Sequence, residues 1–357
     1  MPSDAELRHA GRHSLFGSLS ACSLPFVLIL TNSMAEPQKA EGELPAAPST
    51  ISPSYTAVLQ EHNVVVTQRQ TRLKLIDEIE KLESAAMRKK KAAVVAHIAK
   101  EGGPGSLESV DIPVLGNVLR SIGDVHCLSL ILQSPGGDGT VVETIVAMCR
   151  AQCKHLRVIL PNRAKSAATM IALGADEIVM GPTSEIGPID AQVPVVIEGL
   201  LRYVSAQSFI DARASLLKQY DEAIANKKDT QAVLQMLASL DIPFIEECQR
   251  MMDFGRDVVR KLLSKHMLAK EKKDKDKKID KIVSMLSSVK THMVHGRTIT
   301  GTTARTDLGL NVKLLAKNNP LWEKIWEYYT RAEIHLGNVG ASKMFETKFE
   351  MLYAKNQ

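Results

Sequence analysis

The chain has 357 residues, of which 45% are hydrophobic, 24% charged and 4% aromatic, and 45 basic against 40 acidic side chains leave a formal net charge of +5. With a mean hydropathy of -0.06, these figures exclude a disordered chain, a collagen-like repeat and a polytopic membrane protein, and they leave room for one large domain with additions or two small ones. So few aromatics argue against a stacking platform for single-stranded nucleic acid, and so mild a charge points to no polyanionic partner.

Residues 14–35 carry no charge, and their core reads SLPFVLILTNSMA behind Arg12 and His13. That is either a signal-like or anchoring leader or an upstream extension, since Met34 opens a second, more ordinary start; membrane association would come only through residues 1–33. Residues 34–60 are rich in Pro, Ala, Ser and Glu over 36–55 and read as a disordered lead-in. A helix follows within 61–91, where Leu73, Ile76, Ile79 and Leu82 recur at three-residue steps and define one apolar face.

From residue 92 the pattern alternates. Residues 92–98 (AAVVAHI) read as a strand, 114–122 as a helix and 128–133 (LSLILQ) as a buried strand. A glycine-rich turn, a helix over 140–153, a strand over 156–160, a second turn, a helix over 166–173 and a strand over 177–180 follow. Near-continuous apolar strands separated by helices imply an α/β fold, a parallel sheet with both faces covered. Beyond Gly187 the pattern turns helical, through 220–224, 233–240 and 244–263. The run AKEKKDKDKKIDK (269–281) reads as a solvated helix end or loop. The core is bounded at 92–315, and 316–357 reads as a helical tail.

Five cysteines, Cys22, Cys127, Cys149, Cys153 and Cys248, are odd in number and thinly spread, unlike a secreted disulfide framework. They point to a reducing compartment and hence to the cytoplasm. Cys149, Cys153 and His155 have a ligand-like spacing, but they sit in an apolar segment where buried thiols are common, so no metal and no cofactor is expected.

Two turns carry the chemistry. The first, SPGGDG over 134–139, lies between a buried strand and a helix, where glycine amides suit an anion or a developing oxyanion. It is neither a dinucleotide fingerprint nor a Walker loop, and a plain structural turn would read the same way. The second, Pro161 to Ala168, puts Ser166 at a helix start, where a serine is first of all an N-cap. Consecutive strand-to-helix turns of a parallel sheet meet at the carboxyl ends of neighbouring strands, so Ser166 can face the glycine amides, with the Ala167 N–H as a second donor.

A serine needs a base. None of the ten histidines falls between His155 and His266, and the nucleophile-elbow motif Gly-x-Ser-x-Gly is absent. A buried lysine is the alternative, and Lys218 in the apolar context SLLKQY is a better candidate than the polar pair Lys227 and Lys228.

The stretches LILQSPGGDGTVVETIVAMCR and VILPNRAKSAATMIALGADEIVMGPTSEIGPIDAQV resemble the serine dehydrogenase proteinase family, which is related to signal peptide peptidase A within the Clp protease and crotonase fold group. The likeness extends more loosely to His295-Gly296-Arg297 and to Asp307-Leu308-Gly309-Leu310. It implies a Clp protease/crotonase-like core, a catalytic Ser166, an oxyanion hole at Gly136 and Gly137, a Ser–Lys dyad, and assembly into a homo-oligomer. Relatives often carry Ser-Gly-Gly where this chain has Ser166-Ala167-Ala168.

The leading expectation is therefore a serine peptidase acting on extended polypeptide, with Ser166 as nucleophile, Lys218 as base and the Gly137 and Ala167 amides on the oxyanion. Two others stand beside it. One is a crotonase-like acyl-thioester enzyme using Glu143 as its acid or base; the other is a binding scaffold that keeps the fold without turnover.

Overall fold

Apolar runs bounded by turns build the sheet of the computed structural model, which describes residues 68–288 and 295–355. The leader and the lead-in fall outside the described residues. Helix α1 (Gln68–Ala86) leads into strand β1 (Ala92–Ala99), whose eight residues are all buried. Helix α2 (Asp111–Ile122), β2 (Val125–Gln133), α3 (Val142–Ala151) and β3 (Cys153–Leu160) continue the alternation. The short β4 (Arg163–Ala164), α4 (Ala167–Leu173) and β5 (Glu177–Met180) complete it. Strands β1, β2, β3 and β5 are parallel neighbours, as uninterrupted apolar strands joined by helical crossovers must be.

The segment after β6 (Glu185–Ile186) departs from the helical expectation. It first forms a hairpin, β7 (Gln192–Ile197) and β8 (Leu200–Ser205), before α5 (Ala206–Ala225), α6 (Gln231–Ala238) and α7 (Ile242–Lys265). Glu198 and Gly199 both have positive φ, 53° and 77°, the pairing that a tight two-residue hairpin turn requires. The charged run ends in a helix, α8 (Lys275–Ser287). After it come β9 (Ile299–Thr300), α9 (Gly301–Thr306) and β10 (Val312–Leu314).

The end of the chain is helical only in part. Helix α10 (Pro320–Asn338) contains both tryptophans, but β11 (Ala341–Glu346) and β12 (Met351–Lys355) then join the main sheet, in the order β10-β5-β3-β2-β1-β11-β12. Strand β11 runs antiparallel to β1, with His97 opposite Phe345. The last residues are thus sheet, because six consecutive buried positions on β11 pack where a helical tail would have left the β1 edge open.

Alternate residues of each strand serve two layers. Val94, Ile131, Ile159 and Val179 pack against Ile76 and Ile79 of α1 and Trp322, Ile325 and Tyr328 of α10. Val95, Leu130, Val158 and Ile178 face Leu115, Ile145, Ile171, Val259 and Ile282 from the helices on the opposite side. Helix α1 is rotated from the expected face, because it buries Arg72, Glu80 and Glu83 while Leu82 is exposed. Each buried charge is paired, as burial demands. Arg72 lies 2.9 Å from Glu346, and Glu83 lies 2.5 Å from Arg157. Among the described residues, no helix is long and apolar enough to cross a membrane.

Candidate active site

The turn after β2 and the turn after β3 are stitched together at the carboxyl edge of the sheet. Ser134 N–H donates to Arg163 O at 3.0 Å, and Lys165 N–H donates to Ser134 O at 3.2 Å. Gly136, at φ +99°, then comes so close to the second turn that a Cβ there would lie 2.6 Å from Lys165 O and 2.8 Å from Ser166 Cβ. Only glycine permits both the backbone angle and the approach.

Gly136 is nevertheless no free donor. Its N–H goes to Ser134 Oγ at 3.1 Å and its carbonyl accepts from Leu107 N–H at 2.7 Å. Asp138 N–H donates to Leu107 O at 2.9 Å, so the residues flanking Gly137 are both held by Leu107 in a parallel bridge. In such a bridge Gly137 directs its own N–H and C=O to the other side. Of the two glycines expected to face an oxyanion, Gly137 is the one with an amide to offer, and Gly136 is there to let the turns touch.

Ser166 sits at φ +48° and ψ −118°, a region that non-glycine residues rarely adopt. It makes no capping bond to α4, so the plain N-cap role is not the one it plays. The turn is instead held by Ala168 N–H on Lys165 O at 2.9 Å, and by Thr169 Oγ1 donating to Ala164 O at 2.7 Å. The serine is only partly buried while Ala167 and Ala168 behind it are fully buried. As the first residue of α4, Ala167 has no helical acceptor for its N–H.

A His–Asp pair is carried by the segments that follow β6 and precede β9. His295 Nδ1 is 2.8 Å from Asp190 Oδ1, and the aspartate is only 4% exposed. Burial pushes the Asp190 carboxyl up, but the hydrogen bond and charge of His295 outweigh it and hold it below the usual carboxylate range. Lys165 ties the two regions together, with Nζ 2.7 Å from Glu185 and 3.5 Å from Arg297 O. Thr298 Oγ1 donates to the same glutamate at 2.6 Å, and β6 bridges β4 to β9. The segment carrying His295 is thereby fastened to Lys165 and, through β6, to Arg163 and Ala164 just before it.

A family profile described as "ClpP-like SDH-type serine proteinase" matches residues 70–329, well over half of the chain. The chain belongs to this family. The proteinase fold group accords with the mostly parallel sheet flanked by helices and with a site at the strands' carboxyl ends. Two uncharacterized proteins of Methanocaldococcus jannaschii, MJ0137 and MJ1495, are 38% and 36% identical to it over 66 residues. Those residues are 18% of this chain, and the chain spans 23% of the length of each of these curated relatives.

Not every residue expected at a proteinase site is brought to it. Lys218 lies on α5, a helix that buries only Ala206, and its side chain is 78% exposed with Nζ 3.7 Å from Glu222. The desolvation needed to activate a lysine is absent in the single chain. Glu143, the acid or base of the thioester reading, is exposed on α3 and shares a surface pocket with Asp257 and Lys261. Cys149 is fully buried, its thiol pushed up to about 12 by burial, and Cys153 Sγ lies 3.3 Å from Cys149 O. Cys149 packs as the apolar segment predicts, whereas Cys153 is half-buried at the start of β3. His295 and Asp190 stand 105 positions apart, so no spacing in the chain marks them as a pair, although His295 falls in a stretch that resembles the family.

Proposed function

We propose that the protein is a serine peptidase in which Ser166 is the nucleophile, His295 the general base and Asp190 the group that orients it. The observation carrying this reading is the conformation of Ser166: a strained residue on a turn locked against Gly136, its hydroxyl released from the helix it begins. Asp190, held ionised, accepts the Nδ1–H of His295 and leaves Nε2 as the basic atom. Nε2 takes the Ser166 Oγ proton as Oγ bonds to the scissile carbonyl carbon. The Gly137 and Ala167 N–H groups receive the oxyanion. Collapse breaks the C–N bond, the imidazolium gives its proton to the leaving amine, and water hydrolyses the resulting acyl-enzyme by the same steps. No metal or cofactor is needed for any of these steps.

Extended polypeptide is the substrate that suits the site, because the C=O that Gly137 turns away from Leu107 is left to accept from an extended backbone while its N–H serves the oxyanion. Assembly into a homo-oligomer is part of the same reading. Val196, Leu200, Leu201 and Tyr203 on the β7–β8 hairpin are exposed, as are Leu217 and Ile224 on α5, and such a run of apolar groups is usually covered by another surface. The Ser–Lys dyad remains a second reading only in this setting: Lys218 neighbours Leu217, and a base role would require another copy to bury it.

Labelling by a fluorophosphonate serine probe tests the assignment. Wild type is expected to label, and the Ser166→Ala and His295→Ala variants to lose labelling with their circular dichroism unchanged. Labelling that survives in His295→Ala but is lost in Lys218→Ala would replace the triad by the dyad. A folded wild type that does not label would favour the scaffold.

A further inference from the structure

Lys343 and Asp111 form an ion pair at 2.9 Å whose side chains are 2% and 0% exposed. The pair lies under the short extended segment at Ser106, Leu107 and Glu108. Lys343 Nζ donates to Ser106 O at 2.7 Å, and Asp111 Oδ2 accepts from Glu108 N–H at 2.8 Å. The two buried charges therefore hold the residues on either side of Leu107. Leu107 uses its own N–H and C=O on Gly136 O and Asp138 N–H, the residues on either side of Gly137. Alternate peptide groups of one extended segment thus link the buried pair, on its far side, to the glycine turn.

A lysine with its charge buried in the centre of β11 is an expensive way to fill space, since well-packed apolar groups of similar volume are often as good or better for stability. Its charge does have a use here. A backbone donor for a developing oxyanion must be set before the reaction begins, because an amide that has to reorient at that moment stabilises it far less.

We infer that Lys343 and Asp111 are positioning residues for the Gly137 amide: through Ser106, Leu107 and Glu108 they fix the register of the turn that carries it. The inference rests on the peptidase reading for what the amide does. It makes β11 part of the active-site support, although Lys343 stands far from Ser166 in sequence.

The test is the double variant Lys343→Met/Asp111→Leu, which replaces the pair by apolar groups and leaves neither charge stranded. Amide hydrogen exchange followed by mass spectrometry should speed up about tenfold or more in peptides covering 104–112 and 134–140, with α10 and β3 unchanged. Fluorophosphonate labelling should lose about tenfold or more in its maximal rate with the apparent affinity for the probe retained, less than the roughly 10²–10³-fold cost of deleting an oxyanion donor outright. Unchanged exchange in those two segments would overturn the inference, as would faster exchange with an unchanged maximal rate. A change spread evenly over the sheet would reduce the pair to a structural role. If wild type does not label, it is the peptidase reading that fails, and local exchange alone decides the clamp. Should the double variant not fold, Asp111→Asn keeps the acceptor for Glu108 N–H while weakening the hold on Lys343, and the same two segments report.

Discussion

Replacing Ser166 by glycine should make the protein more stable than replacing it by alanine, although both substitutions remove the nucleophile. At φ +48° and ψ −118°, Ser166 occupies a region open to glycine and costly, by about 1–3 kcal/mol, for residues with a Cβ. Alanine keeps the Cβ and so keeps the strain. Glycine relieves it but gives the unfolded chain more freedom, which costs about 0.4–1 kcal/mol. The lost hydroxyl is common to both variants and makes no capping bond in either case. Ser166→Gly should therefore exceed Ser166→Ala by roughly 0.5–2 kcal/mol. Urea unfolding of the two variants, read as a shift in midpoint at a common slope, measures the difference, and neither variant should label with a fluorophosphonate. A glycine variant no more stable than the alanine variant would show that position 166 is unstrained, and the main argument for its role as a nucleophile would go with it.

Gly136→Ala should cost about 2–4 kcal/mol and abolish labelling, because the new methyl would meet Lys165 O at 2.6 Å and Ser166 Cβ at 2.8 Å. Gly199→Ala is the control: it has a positive φ of 77° but nothing within 4 Å of the added methyl, so it should cost only about 1 kcal/mol and leave labelling intact. Equal losses in the two would mean that close approach is not what selects glycine at 136. His97 offers a test of pH dependence. It is buried and stacked on Phe345, and burial, helped by the charge of Lys343, pushes its imidazole down to about 3. The unfolded chain binds this proton below about pH 6.5 and the folded chain does not, so stability falls as pH drops from about 6.5 towards 3. Between pH 7.5 and pH 5 that loss is about 2 kcal/mol, and thermal or urea unfolding of His97→Leu should show a drop smaller by that amount.

How much could be read from the sequence varied with the range of the interaction. The strands at 92–98, 128–133 and 156–160 were legible because a strand buried on both faces has to be apolar along its length, and the turns between them because proline restricts the backbone and glycine frees it where they stand. Ser166 and the 134–139 turn were legible as a pair because the rule about strand ends needs only the order of elements. The β7–β8 hairpin was not. Its strands QVPVVI and LLRYVS expose much of their apolar surface, so they lack the burial pattern by which the sheet strands were recognised. Nor was the face of α1, since Arg72, Glu80 and Glu83 look like solvent-facing charges until their partners on β11, on β3 and near the end of the chain are in place.

By itself the sequence determined an α/β fold, a parallel order of the central strands, and a serine and a glycine-rich turn at their carboxyl ends, all of which depend on residues near one another in the chain. The tertiary structure decided which amide of that turn is open, that Lys218 is solvent-exposed in the single chain, and that His295 is paired with Asp190. Each of these is a relation between segments that periodicity does not link. Burial and hydrogen-bond direction, which decide whether a lysine or a histidine can act as a base, exist only once those segments have been packed together.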